Sequence, residues 1–134
     1  MGEYHMEYYE LSFGKVGILR NDIAEIIVDE GIDVNIQMVD EIHHFLLSIF
    51  VNSFSLLINK TNSYSTQLDA LIKFGTLSTI NKIAMYAPNR MAKLSADFEA
   101  DIPSAATLNI QVFYQRGDAL SWLDYQPTYM LSSL

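Results

Sequence analysis

Four short apolar runs, each followed by a stretch of helical periodicity, set the limits on this fold. They are Ile23–Val28, residues 54–58, Ile80–Tyr86 and residues 108–114. Strands joined by a helix-length crossover pair in parallel, whereas antiparallel neighbours need only a short turn. The alternation therefore predicts an α/β fold, a mostly parallel sheet with helices packed on it.

The start of the chain departs from that rhythm. Residues 8–13 and 16–20 flank Gly14-Lys15, and β-forming runs around such a pair predict an antiparallel hairpin. Asn21-Asp22 makes a second turn into Ile23–Val28. From Ile36 the period lengthens: Val39, Ile42, Leu46 and Ile49 form one helix face, with Phe45 and Phe50 beside it. Asp33 or Asn35 is placed to cap it, with Asp40 and Glu41 near its positive end. Residues 54–58 are apolar except for Ser55, which predicts a central strand covered on both faces.

A second helix is expected from Thr66, with Leu68, Leu71 and Ile72 inward and Gly75 closing it. A third spans residues 89–102, where Met91, Leu94 and Phe98 share a face and Pro103 ends it. Leu108, Ile110, Val112 and Tyr114 alternate with Asn109, Gln111 and Phe113, the pattern of a strand near an edge with one face partly wet. Asp118 is expected to cap a last helix that packs through Ala119, Leu120, Trp122 and Leu123. The chain reads as one domain over residues 1–124 and a tail, 125–134, that has no period and is expected to fray. Tyr129, Met130 and Leu131 are its apolar members.

The chain has 134 residues, half of them hydrophobic, which is enough for one core. Its formal charge of -8 repels nucleic acid phosphates and anionic lipid heads. No cysteine is present, so disulfides, thiolate metal sites and a cysteine nucleophile are excluded. The first ten residues do not read as a signal peptide, and no apolar run approaches a membrane span. A soluble cytoplasmic protein without stable membrane insertion is the expectation.

Catalytic constellations are scarce. His43 and His44 are adjacent, so on a helix they point about 100° apart. Asp40 and His44 make at most half a metal site, more simply a solvated pair on a helix surface. Neither nucleotide-binding glycine loop occurs, nor a Gly-x-Ser-x-Gly elbow. Arg116-Gly117-Asp118 reads as strand end, turn and helix cap. Trp122 reads as packing for the last helix, and Tyr4, Tyr8 and Tyr9 as strand decoration. No cofactor or metal is implied, and no enzyme is expected.

The best candidate site is the polar loop after the central strand: Asn59, Lys60, Thr61, Asn62, Ser63, Tyr64, Ser65 and Thr66. In open α/β sheets, ligands and partners meet loops at the carboxyl ends of strands. This loop also opens a helix whose free N–H groups attract anions. A phosphoryl group on Ser63 or Ser65 would be stabilised at that end. The plainer reading makes Ser65 or Thr66 a helix cap.

From about Tyr8 to Leu123 the chain resembles the SpoIIAA-like branch of the STAS domains, relatives of bacterial anti-sigma-factor antagonists. The resemblance rests on Ile23–Val28, on Asn35-Ile36-Gln37-Met38-Val39, on residues 54–59 running into Ser63-Tyr64-Ser65, and on Phe113-Tyr114 followed by Ala119-Leu120-Ser121-Trp122-Leu123. It implies stacked β-α units with helices mainly on one face of the sheet. It also implies a serine phosphorylated by a partner kinase at the start of the helix after the central strand. Classical antagonists carry that serine between aspartate and glycine; Asn62-Ser63-Tyr64-Ser65-Thr66 lacks both flanks.

The first functional expectation is a non-enzymatic cytoplasmic regulatory module that binds a protein through this loop and the following helix. Phosphorylation at Ser63 or Ser65 would gate it. The second is a binding domain for a lipid or other small apolar ligand, suggested by the surplus of Met and Phe. A monomer or a homodimer fits either, the hairpin edge or the tyrosine-rich start offering a dimer contact.

Overall fold

A computed structural model describes residues 7–102 and 109–125. The elements follow in the order β1 (Glu7–Leu11), β2 (Gly14–Arg20), β3 (Ile23–Val28), β4 (Asp33–Val34), α1 (Ile36–Ile49), β5 (Phe54–Asn59) and β6 (Ser65–Thr66). They continue with α2 (Leu68–Phe74), β7 (Ile80–Tyr86), α3 (Arg90–Ala100), β8 (Asn109–Phe113) and α4 (Arg116–Trp122). Tyr4, Pro103, Leu108 and residues 126–134 lie outside the described residues. Tyr125, at the start of the expected tail, packs against the cluster beneath α4 and donates its N–H to the Leu120 carbonyl.

Six strands form one sheet in the order β1-β2-β3-β5-β7-β8. β1, β2 and β3 pair antiparallel, whereas β3, β5, β7 and β8 pair in parallel. The rhythm of the sequence is thus the order of the sheet. β5 is interior and buried at all six positions. β8 is an edge, as its alternation requires. α1, α2 and α3 cover one face, over a core that includes Val16, Ile26, Val39, Leu46, Leu56 and Ile83. α4 lies alone on the other, over Ile23, Leu57 and Ala84. The two-residue repeat of β5 divides its side chains between these clusters: Phe54, Leu56 and Ile58 go to the first and Leu57 to the second.

Several local expectations are corrected. The hairpin turns at Ser12-Phe13, not at Gly14-Lys15, because Leu11 pairs with Gly14. Gly14 serves a different need: a Cβ there would run into the Ile27 carbonyl oxygen of β3. α1 begins where expected, with Asn35 Oδ1 accepting from the Met38 N–H at 3.0 Å. α2 begins at Leu68, not Thr66, and neither Ser65 nor Thr66 caps it; the capping position is Gln67, without a side-chain bond. Leu68 and Ile72 are exposed, while Ala70 is buried and Leu71 and Phe74 are partly buried. The short helix is held from the side by Phe74 against His43 and by the Lys73–Asp40 ion pair, and this fixes its rotation. α4 begins at Arg116, so Asp118 lies in its first turn instead of capping it.

α3 carries the largest surprise. Met91, Leu94 and Phe98 do share a face, and it points to solvent. Ala92, Ala96 and Glu99 point inward. The physical reason lies on β5, where the chain leaves the sheet through the buried Lys60. An unpaired buried ammonium is destabilising, and the rotation that supplies Glu99 to it turns the apolar stripe outward.

Candidate functional site

The loop leaving β5 is stitched down at almost every residue. Successive side chains of a strand point to opposite faces, so Asn59 and Lys60 part company. Asn59 turns to the α4 face. Its Nδ2 donates to Glu25 Oε2 at 2.8 Å, and its Oδ1 accepts from the Thr61 N–H and hydroxyl at 2.9 and 2.7 Å. Glu25, buried in β3, also accepts from Arg116 Nη2 at 2.6 Å and Nε at 3.3 Å. That fork ties the first turn of α4 to the sheet. Arg116-Gly117-Asp118 is therefore a clasp and not a strand end.

Lys60 turns to the other face. Its Nζ donates to both Glu99 oxygens, at 3.0 and 3.3 Å, and lies 4.3 Å from the centre of the Tyr64 ring. Burial of that ring and the nearby Glu99 carboxylate push the Tyr64 phenol well above its ordinary pKa. The cation-ring contact is favourable in its own right where water is excluded.

Beyond Lys60 the loop is held by backbone and by acids. Asn62 Nδ2 donates to the Val28 carbonyl at 2.9 Å. The Ser63 N–H donates to Glu30 Oε1 at 2.9 Å, and the Ser63 carbonyl accepts from the Gly31 N–H at 2.7 Å. Gly31 has φ +82°, where a side chain would be strained. Ser65 and Thr66 form the short strand β6, which pairs in parallel with β4. The Ser65 hydroxyl donates to Asp33 Oδ1 at 2.7 Å, and Gln67 Nε2 donates to Asp33 Oδ2 at 3.0 Å. These two donors hold the Asp33 carboxyl below its usual pKa.

The expected stabilisation of a phosphoryl group is thereby corrected. Ser63 and Ser65 precede α2 by more than a residue and face Glu30 and Asp33. A dianion there meets carboxylates instead of a helix N-terminus, because β6 intervenes.

Two concavities meet at this loop. A groove of about 210 Å³ runs between Lys60, Asn62, Ser63 and Tyr64 on one side and Asn89, Met91 and Ser95 at the start of α3 on the other. An apolar cavity of about 70 Å³ lies between the sheet, α1 and α2, lined by Ile26, Val39, Ile58, Phe74 and Met85, with Tyr64, Thr66 and Glu99 at its polar side. Lys60, Asn62, Ser63 and Tyr64 thus line one groove, and Tyr64 lines both spaces. Thr66 lines only the cavity, Ser65 belongs to β6, and Asn59 points to the opposite face.

Glu25, Glu30 and Glu99 escaped the sequence reading, and Asp33 and Arg116 entered it only as a possible helix cap and a strand end; the cap of α1 is Asn35. Glu25 had a signal, an acid inside the apolar run of a parallel strand. Glu99 and Arg116 had none. Among the described residues no three His, Asp or Glu side chains are placed to hold a metal ion, and no helix is long and apolar enough to cross a membrane. His44 is exposed, and Asp40 pairs with Lys73. Trp122 packs α4 against Phe113 with ring centres 5.7 Å apart.

No family model matches the sequence, and no curated protein matches it. Among solved structures, the chain is similar to an uncharacterised protein of the DUF3478 family with a SpoIIAA-like fold, from Shewanella loihica PV-4. The TM-score is 0.52 and the identity 13%, over 89% of this chain and 92% of that one. The likeness establishes the fold: this is a SpoIIAA-like α/β domain, as the sequence resemblance implied.

Proposed function

We propose, from this SpoIIAA-like fold and the surface at the end of its central strand, that the chain is a non-enzymatic cytoplasmic regulatory module that binds a protein. The contact surface is the loop crest, Thr61, Ser63 and Ser65, with Leu68 and Ile72 of α2. The observation that carries this reading is the exposure of those two apolar side chains beside a loop whose backbone is already fixed. A rigid surface loses little entropy on binding. Glu30, Asp33 and Asp69 surround it, so the partner presents basic side chains around an apolar contact.

Phosphorylation of Ser65 would gate this surface by repulsion. The hydroxyl that now donates to Asp33 would become a dianion beside it, and the β4–β6 pairing would open. Against catalysis stands the pairing of the reactive side chains with each other: Lys60 with Glu99, and Ser65 with a carboxylate held low.

The test compares proteins retained from native lysate by the full chain, by a Ser63→Asp/Ser65→Asp variant and by a Leu68→Asp/Ile72→Asp variant of equal melting temperature. A partner kept by the wild type and lost by both variants supports the reading. Identical sets from all three, or none, count against it.

A second reading rests on the apolar cavity, which would take a lipid chain or other small apolar ligand with its polar end at Tyr64 and Glu99. Native mass spectrometry after incubation with lipid extract would show a bound mass that an Ile58→Trp variant excludes.

A further inference from the structure

We propose that the exposed face of α3 is a self-association seam, on which a second copy of this chain docks antiparallel about a two-fold axis. Met91, Leu94 and Phe98 are 76%, 57% and 64% exposed. They fall at i, i+3 and i+7, the spacing with which one helix lies along another.

The charges around this stripe name the occupant. At 100° per residue, Asp101, Arg90 and Asp97 flank it on one side, and Lys93 lies on that same side but further round, its Nζ 5.9 Å from the centre of the Tyr114 ring. They are sorted along the helix: the bases lie in its first half, and the acids lie in its last turn and at its C-cap. The helix dipole favours the opposite order, with acids at the N-terminus and bases at the C-terminus. A lysine placed N-terminal to its acid at i,i+4 is likewise the weaker of the two arrangements. The sorting therefore lowers the stability of α3 taken alone.

A two-fold axis turns the same sorting into an attraction. In an isologous contact, residue i meets j and j meets i. With the axis beside Leu94 and Ser95, Met91 meets Phe98 of the partner subunit. Lys93 meets Asp97 of the partner subunit, and Arg90 meets Asp101 of the partner subunit. Two-fold symmetry carries a flank onto the same flank, so the charges stay on one side of the seam. The Lys93–Asp97 bond, 2.6 Å within one helix, is exchanged for the same bond made twice between helices. A parallel two-fold would carry the charged flanks to opposite sides of the seam, where neither meets the other. Met91 also lines the groove beside Ser63, so the two surfaces are told apart by Leu68→Asp/Ile72→Asp on α2 and by Leu94→Asp on α3.

One helix-length seam is smaller than a standard interface, so the dimer is weak. Sedimentation equilibrium of the full chain between about 10 µM and about 1 mM is the first test. The weight-average mass is expected to climb from 15.2 kDa toward about twice that value. A Leu94→Asp variant stays at the monomer mass throughout, with an unchanged melting temperature because the side chain is exposed. Lys93→Asp and Asp97→Lys variants are each monomeric alone, and an equimolar mixture recovers the dimer. The chain contains no cysteine, so Leu94→Cys under copper–phenanthroline gives a covalent dimer, and Val51→Cys, exposed after α1, does not. A wild type that remains monomeric at every concentration overturns the proposal. So does a dimer that Leu94→Asp leaves intact, or a charge-reversed mixture that stays monomeric.

Discussion

On the face beneath α1, α2 and α3, the ion pair that leaves β5 is shut away from water: the Lys60 and Glu99 side chains are 3% and 9% exposed. On the face beneath α4 the corresponding pair is half open, with Glu25 at 1% and Arg116 at 36%. Both are tied to one strand end, the first through Lys60 itself and the second through the Asn59 bond to Glu25, yet their energetics differ. An enclosed pair must balance the desolvation of two ions with their own attraction, so neither partner survives the loss of the other. In the open pair the guanidinium retains water whether or not Glu25 is present. The enclosed pair also dictates which way a helix faces. α3 gives inward positions to two alanines and Glu99, whereas α4 packs through Ala119 and Leu123 and needs Arg116 only as a clasp. Burying charge on the first face is thus what exposes the apolar stripe of α3.

The largest effect expected from breaking this contrast is at Glu99. Glu99→Ala strands a buried ammonium and should cost about 3–5 kcal/mol, a large part of the roughly 5–15 kcal/mol that a domain has. Urea denaturation reads it directly. A Lys60→Met/Glu99→Leu variant removes both charges and should recover most of the loss. If the double variant is as unstable as the single one, the pair is more than a neutralised charge in a greasy site.

Glu25→Ala should cost less, about 2 kcal/mol. Arg116 can turn to solvent, and the remaining penalty is the Asn59 amide left without its acceptor. A loss equal to that of Glu99→Ala would erase the distinction between the faces.

Acid should act on the first face before the second. His43 lies in the seam between α1 and α2 against Phe74, ring centres 5.5 Å apart, with its Nε2 unpartnered. Burial pushes its pKa below the ordinary value, and Asp40 and Lys73, the charges nearby, oppose one another. The unfolded chain therefore binds the proton first. Stability should be full above about pH 6.5 and decline as pH falls through and below it. Asp33 titrates below this window. A His43→Leu variant should flatten the urea midpoint between about pH 7.5 and about 5.5. An unchanged slope would assign the loss to another group.

The sequence carried the sheet because period and length are local. Four apolar runs with helix-length intervals allow few other arrangements, and residues 54–58, apolar but for Ser55, and the alternating 109–113 placed the centre and the edge correctly. It also carried the location of the loop, since a polar run after a buried strand marks where the chain leaves the sheet. What it could not carry was the consequence of one distant partner. Met91, Leu94 and Phe98 spell a buried face until Lys60 claims Glu99, some forty positions away. Gly14 spells a turn until β3 is laid beside it. Ser65 spells a helix cap until Asp33, from an unforeseen two-residue strand, takes its hydroxyl.

The finest test asks whether the two faces feel each other through the Asn59–Lys60 peptide. Asn59 pins Thr61 from one side while Lys60 and Tyr64 hold the loop from the other. Loosening either anchor gives the shared backbone room to relax, so the second substitution should then cost less than it does alone. A double-mutant cycle of Glu25→Gln with Glu99→Gln, mild enough to keep the chain folded, should show the pair less destabilised than the sum by about 0.5 kcal/mol. Additivity within about 0.3 kcal/mol would mean that the strand end is stiff enough to insulate one face from the other. In that case a signal at the loop could not reach α4, and a partner bound there would be read out through α2 and α3 alone.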